Sequence, residues 1–139
     1  MRVTADTNTI VSGSLWQGNP RRILEAARSG TIELFTSLKL IAELEEVLSR
    51  GKFAAIISKA ESSPREIVRN YRLVATVINA EPVDPVVIRD PDDDEVIACA
   101  VASRSEVIVS GDNDLLDLKR YKNIRILTAT ELLSELNLQ

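Results

Sequence analysis

At 139 residues, with 45% hydrophobic and 27% charged side chains, the chain is long enough to bury one core without disulfides and too mixed to be fibrous or disordered. It contains no histidine, which excludes an imidazole base, a histidine zinc ligand and a serine–histidine pair; the net charge of −4 excludes a generic DNA-coating protein. The one cysteine, Cys99, has no internal partner and sits in an apolar run; no segment is long and apolar enough to span a bilayer or lead export, so a cytoplasmic protein without a membrane partner is expected.

Arg2 to Asp6 reads as a strand, and the turn-prone Asn8, Ser12, Gly13 and Gly18 that follow read as a loop. From Pro20, the apolar residues Ile23, Leu24, Ala26 and Ala27 recur at helical spacing, with Asn19 as a cap and Gly30 as a stop. Ile32, Leu34 and Thr36 share one strand face. Ser37 then caps a helix whose stripe is Leu40, Ile41, Leu44, Val47 and Leu48, broken at Gly51.

Phe53 to Lys59 and Pro64 to about Ile78 read as two further helices. Prolines 82, 85 and 91 mark an irregular stretch with room for one short strand. Asp94 opens a helix running to about Ser103, Glu106 to Ser110 is a buried strand, Asn113 to Leu118 a short helix and Asn123 to Leu127 a last strand. Thr128 or Thr130 caps a final helix through Leu136, and Trp16 is expected to pack into the core.

Strands alternating with helices imply right-handed crossovers. The expected fold is α/β: one domain over residues 1–139, with a mainly parallel central sheet of about five strands covered by helices on both faces.

Without histidine, carboxylates must carry any acid–base or metal chemistry. Asp6 and Asp112 fall at the carboxyl ends of strands, where open α/β sheets place their functional groups. Glu43 lies between Leu40 and Leu44, close to the apolar stripe, whereas Glu45 and Glu46 turn towards solvent. The acids other than Asp6 also have an ordinary structural reading: Asp92, Asp93 and Asp94 as caps after Pro91, Asp112 as a turn residue beside Gly111, Glu43 as part of a solvated helix face. Several carboxylates in one cleft would repel each other unless a cation bound there, and a hard ion such as magnesium or manganese suits oxygen ligands.

Asp6-Thr7-Asn8, an acid on the second predicted helix, Asp90-Pro91-Asp92-Asp93-Asp94 before a helix, and Ser110-Gly111-Asp112-Asn113-Asp114 occur in an order that resembles the PIN-domain nucleases over nearly the whole chain. Within that family the chain looks most like the small toxin components of bacterial and archaeal toxin–antitoxin pairs. The resemblance implies a Mg2+- or Mn2+-dependent endoribonuclease acting on single-stranded RNA and leaving a 3′-hydroxyl and a 5′-phosphate. It carries the metal-binding and catalytic roles onto Asp6, Glu43, Asp94 and Asp112, and auxiliary roles onto Asn8, Ser110, Asp93 and Asp114. Asp94 is preferred to its neighbour Asp93 because the family acid is followed at three and four positions by an apolar residue and alanine, here Ile97 and Ala98.

The partners so implied are RNA, a cognate antitoxin and a second copy of the chain in a homodimer or higher oligomer. Arg21 and Arg22, or Lys119, Arg120, Lys122 and Arg125, are the cations offered to RNA. The surface around Leu40 and Leu44 is offered to an antitoxin helix. The competing reading is a catalytically silent domain of the same shape that binds RNA or protein.

Overall fold

The computed structural model describes residues 1–84 and 91–137, with side chains in the segment after residue 90 described from Asp93 onward. The chain forms β1 (Arg2–Ala5), α1 (Thr7–Leu15), α2 (Asn19–Arg28), β2 (Glu33–Thr36) and α3 (Leu38–Leu48), then a 3-10 turn (Gly51–Phe53), α4 (Ala54–Lys59), α5 (Pro64–Val74) and β3 (Ala75–Val77). It continues with α6 (Pro91–Ser103), β4 (Val107–Val109), α7 (Asn113–Leu116), β5 (Arg120–Tyr121), β6 (Ile124–Leu127) and α8 (Ala129–Leu136). The fold is α/β, with a six-stranded sheet in the order β3-β2-β1-β4-β6-β5 that is parallel except for β5.

Alternate residues of the central strands feed two separate cores, as the period of two requires. Val3, Leu34, Val107 and Val109 pack with α1, α2, α5 and α8 on one face, whereas Phe35, Ile108, Ile124 and Ile126 pack with α6 and α7 on the other. Thr4 also points to the α6 face, where its hydroxyl meets that of Ser105 at 2.9 Å and Ser105 meets Ser103 at 2.7 Å, so three buried hydroxyls satisfy one another. Cys99 is fully buried on that face and behaves as the small hydrophobe expected; burial pushes its thiol up to about 11 against the weak bond from Thr4.

Several expectations need correction. Residues 7–15 form a helix, not a loop. The Asp6 carboxylate caps it by accepting from the Thr9 backbone N–H at 2.9 Å, and Ile10 and Val11 enter the core although the helix has little apolar periodicity elsewhere. Gly13 reflects contact between helices: a Cβ there would stand 2.8 Å from the Pro20 carbonyl oxygen and 3.0 Å from Leu24 Cδ1. Asn19 does not cap α2. Gly18, at φ 132°, holds the cap position, and the Asn19 side chain donates instead to the Thr130 hydroxyl at 2.7 Å, joining α2 to α8. Of the two threonines offered for α8, Thr128 is the cap, in a reciprocal box with Glu131.

The helix expected to reach Ile78 stops at Val74, because the β-branched Thr76 and Val77 continue as a strand along the open edge of β2, pairing Phe35 with Thr76 and Thr36 with Val77. The short helix after Asp112 ends at Leu116 rather than Leu118, and the two-residue β5 pairs back on β6. β3 and β5 account for the extra edges of the sheet. α6 begins at Pro91, three residues before the expected start, since proline is suited to a first helical turn. No strand occurs at residues 81–84, and the remainder of that irregular stretch, with Asp90, lies outside the described residues. Trp16 is 45% exposed, its ring edge-on to Phe53 with centroids 6.1 Å apart, rather than in the core.

Candidate metal and active site

The strand order reverses direction between β1 and β4, and a doubly wound sheet opens a crevice at the carboxyl ends of such a pair. Asp6 follows β1 and Ser110-Gly111-Asp112 follows β4, with Ala5 paired to Val109 immediately before them. Topology therefore brings together two acids separated by more than a hundred residues. Ser110 joins them: its hydroxyl donates to Asp6 Oδ2 at 2.5 Å and accepts from the Asp112 backbone N–H at 2.9 Å.

A small cavity of about 40 Å³ opens here, lined by Asp6, Thr7, Asn8, Glu43, Asp93, Val96 and Asp112. α3 supplies Glu43, half-buried while Glu45 and Glu46 are exposed, as its position beside the apolar stripe implied. α6 supplies Asp93, only 6% exposed. Asp94 is half-buried one step round the helix and is not among the lining residues. Asp112 caps α7 by accepting from the Asp114 backbone N–H at 2.8 Å, which turns Asp114 into the same region. One carboxylate oxygen each from Asp93, Asp112 and Asp114 lies within 4.8 Å of the others.

Among the sequence-derived candidates, the structure thus gathers Asp6, Glu43, Asp112, Asn8, Ser110, Asp93 and Asp114, and leaves Asp94 at the margin. The difference follows from where α6 starts. With Pro91 in its first turn, Asp93 faces the sheet, so the acid that enters the cleft is fixed by helix phase rather than by distance from Ile97 and Ala98. Thr7 and Val96, which complete the lining, carried no sequence signal beyond adjacency to an acid or membership of an apolar run.

The cleft concentrates negative charge. Four carboxylates line it and no basic side chain among the described residues does so. Asp6 is 4% exposed, and burial raises its carboxyl above the ordinary aspartate value. Bonds from Ser110 and Thr9 oppose that rise, while the Asp112 charge adds to it. A donor set of carboxylate oxygens, crowded and partly dehydrated, fits a hard divalent cation.

The offered RNA cations are partly engaged elsewhere. The Arg21 guanidinium donates to the Gly13 and Ser14 carbonyls at 3.0 and 3.1 Å, and Arg125 pairs with Glu135 at 2.8 Å. Leu40 and Leu44 are 4% and 2% exposed and pack inward, whereas Leu38, 65% exposed, is a large apolar side chain of α3 open to solvent. No helix of the described residues is long and apolar enough to cross a membrane.

A family model of the PIN domain matches residues 2–114, well over half of the chain, and the chain belongs to that family. No curated protein matches the chain closely enough to be called a relative. Membership suggests a nuclease, hence a phosphodiester hydrolase in the broad sense, and the match spans every acid in the cleft.

Proposed function

We propose that this member of the PIN domain family is a magnesium- or manganese-dependent endoribonuclease for single-stranded RNA, with Asp6, Glu43, Asp93 and Asp112 as its metal-binding and catalytic acids and Asp114 as an auxiliary one. The observation that carries the reading is the convergence of four carboxylates, one of them 4% exposed, on the lining of a single cavity. A divalent ion bound there supplies charge neutralisation at the phosphate oxygens and lowers the pKa of an attacking water.

The chain's own residues do the rest. Ser110 holds the Asp6 carboxylate, and through the Asp112 N–H it fixes the turn carrying the second acid. Thr9 occupies the remaining Asp6 oxygen, so the carboxylate cannot swing away from the cavity. Asn8, exposed at the rim, is placed to donate an amide hydrogen bond to a phosphate or sugar oxygen. The 5′-phosphate and 3′-hydroxyl ends follow if water adds to phosphorus while the P–O3′ bond breaks, the water oxygen staying on the 5′-phosphate and the 3′ oxygen leaving with a proton; attack by the neighbouring 2′-hydroxyl would instead expel the 5′ oxygen.

Asp94 gives way to Asp93 in this reading because only Asp93 lines the cavity. The test is cleavage of single-stranded RNA in manganese by the Asp93→Asn and Asp94→Asn variants. Asp93→Asn is expected to lose about 10²- to 10³-fold, on the scale of losing one contact made to the transition state. Asp94→Asn is expected to stay within about threefold, as a residue outside the contacts that stabilise the transition state. Equal activity of Asp93→Asn and the parent would remove Asp93 from the mechanism.

The biological role we propose is the toxin of a toxin–antitoxin pair in the cytoplasm, working as a homodimer or higher oligomer and silenced by a protein that covers the acidic cleft. An arginine inserted among the carboxylates would neutralise the same charge as the metal. Co-expression with the product of an adjacent short reading frame should suppress RNA cleavage and restore growth. A chain that is harmless when expressed alone, while active on RNA in vitro, would contradict the toxin assignment.

A further inference from the structure

Behind the carboxylate cleft lies a second, smaller cavity of about 10 Å³, lined by Ala5, Thr7, Ile10, Thr36, Leu40, Leu44 and Tyr71. Two of these residues carry hydroxyls, Thr7 Oγ1 and Tyr71 Oη, that are buried without a hydrogen-bond partner among the described residues. Their residues are 7% and 5% exposed. Thr36 lies beside the Tyr71 hydroxyl and influences its charge without reaching hydrogen-bond geometry, and burial raises the Tyr71 phenol so that it remains a neutral donor. Buried hydroxyls are almost always satisfied, and orphaned ones facing a polar void call for a bridging group.

We propose that this cavity holds one internal water molecule, shared by Thr7 and Tyr71 with Thr36 beside it, which fixes the backbone behind the acidic cleft. The volume admits one water, and the walls offer three hydroxyls where an internal water needs two to four polar partners. The remaining walls are aliphatic, which leaves no room or partner for a larger or charged guest. Its position gives it consequence. Thr7 directly follows Asp6, and Thr36 directly precedes Ser37, whose hydroxyl caps the helix that carries Glu43. Tyr71 reaches between them from α5. The water therefore ties together the turns that set the spacing of two acids, and Thr7 and Tyr71 are positioning residues. Its presence rests on the cavity alone; its effect on metal binding rests on the carboxylate site proposed above.

The test combines crystal structures of the full chain with manganese titration of four variants: Thr7→Ser, Thr7→Val, Tyr71→Phe and the double Thr7→Val/Tyr71→Phe. The expected parent structure shows one water within about 2.6–3.2 Å of Thr7 Oγ1 and Tyr71 Oη. Thr7→Ser, which keeps the hydroxyl, should hold manganese affinity within about twofold, whereas Thr7→Val and Tyr71→Phe should each weaken it roughly tenfold, the low end for residues that support ligands. The double variant should be no weaker than the worse single one, because both hydroxyls act through one water. A dry cavity, hydroxyls bonded directly to each other, or equal weakening by Thr7→Ser and Thr7→Val would overturn the proposal. If the parent bound no manganese, the carboxylate reading would fall, while the density would still decide whether the water is there.

Discussion

Two openings on the same molecule differ in size and in chemistry. The groove between α1, α2 and α5 encloses about 320 Å³ and is lined by Arg21, Arg28, Glu25 and Asn70 together with Leu24, Ile67, Val74 and Tyr71. The acidic cleft at the ends of β1 and β4 encloses about 40 Å³. Volume alone would favour the groove, but its charges are mixed and Arg21 is already spent on two carbonyls. The cleft concentrates like charge at the sheet's switch point, an arrangement that costs stability unless something binds there. Chemistry, rather than room, is what favours the cleft as the proposed site.

The largest expected effect separates the two. Asp6→Asn should reduce manganese-dependent RNA cleavage by about 10²-fold or more. Asparagine can still accept from the Thr9 N–H and donate to Ser110, so the variant should fold, and a lost signal would then report chemistry. Cleavage at parental rates would place the reaction outside the cleft.

Next in size is a structural effect on the groove side. Gly13→Ala adds a methyl against the Pro20 carbonyl, and α1 and α2 must separate to admit it. The overpacking should lower stability by about 1–3 kcal/mol, partly offset by alanine's better helix propensity of about 1 kcal/mol. A lower urea midpoint with unchanged slope is the expected result. An unchanged or raised midpoint would show that the helix pair has slack.

A smaller effect concerns pH. Because the folded Asp6 carboxyl is raised above the ordinary value of 3.8, protonation favours the folded state. That contribution is complete below the unfolded pKa and is lost as pH rises through the folded one. Metal-free Asp6→Asn should therefore melt higher than the parent at pH 7, with the gap closing towards pH 4. Millimolar manganese should reverse the order at pH 7 by stabilising the parent alone. A gap that widened on acidification would reverse the assigned sign. Smallest of all, Arg28→Ala in the groove should leave RNA cleavage within about twofold, since Arg28 is exposed and lies outside the cleft.

The groove and the cleft were also unequally legible in sequence. Asp6, Asp112 and Ser110 could be placed because strand ends are readable from alternation and turns, and Glu43 because its helix has a clear stripe. α1 is not legible because Ile10, Val11 and Leu15 are its only large apolar core contacts, the rest of its buried face being threonines and a glycine, and because its cap, Asp6, reads as a functional acid. In the proposed site it would hold both roles at once. The phase of α6 was beyond reach for a different reason: three successive aspartates offer no contrast, and only packing against β1 and β4 selects the one that turns inward. Tyr71 gives no signal at all, since a tyrosine on an apolar helix face looks like ordinary core until its hydroxyl is found buried without a partner in a residue that lines a cavity.

The most direct measurement of the central claim is anomalous diffraction from crystals of the full chain soaked in manganese. The expected result is a peak within about 2.5 Å of carboxylate oxygens of Asp93 and Asp112, in the cavity that Asp6 and Glu43 also line. A cleft without a peak at saturating manganese, or a peak bound by other residues, would contradict it.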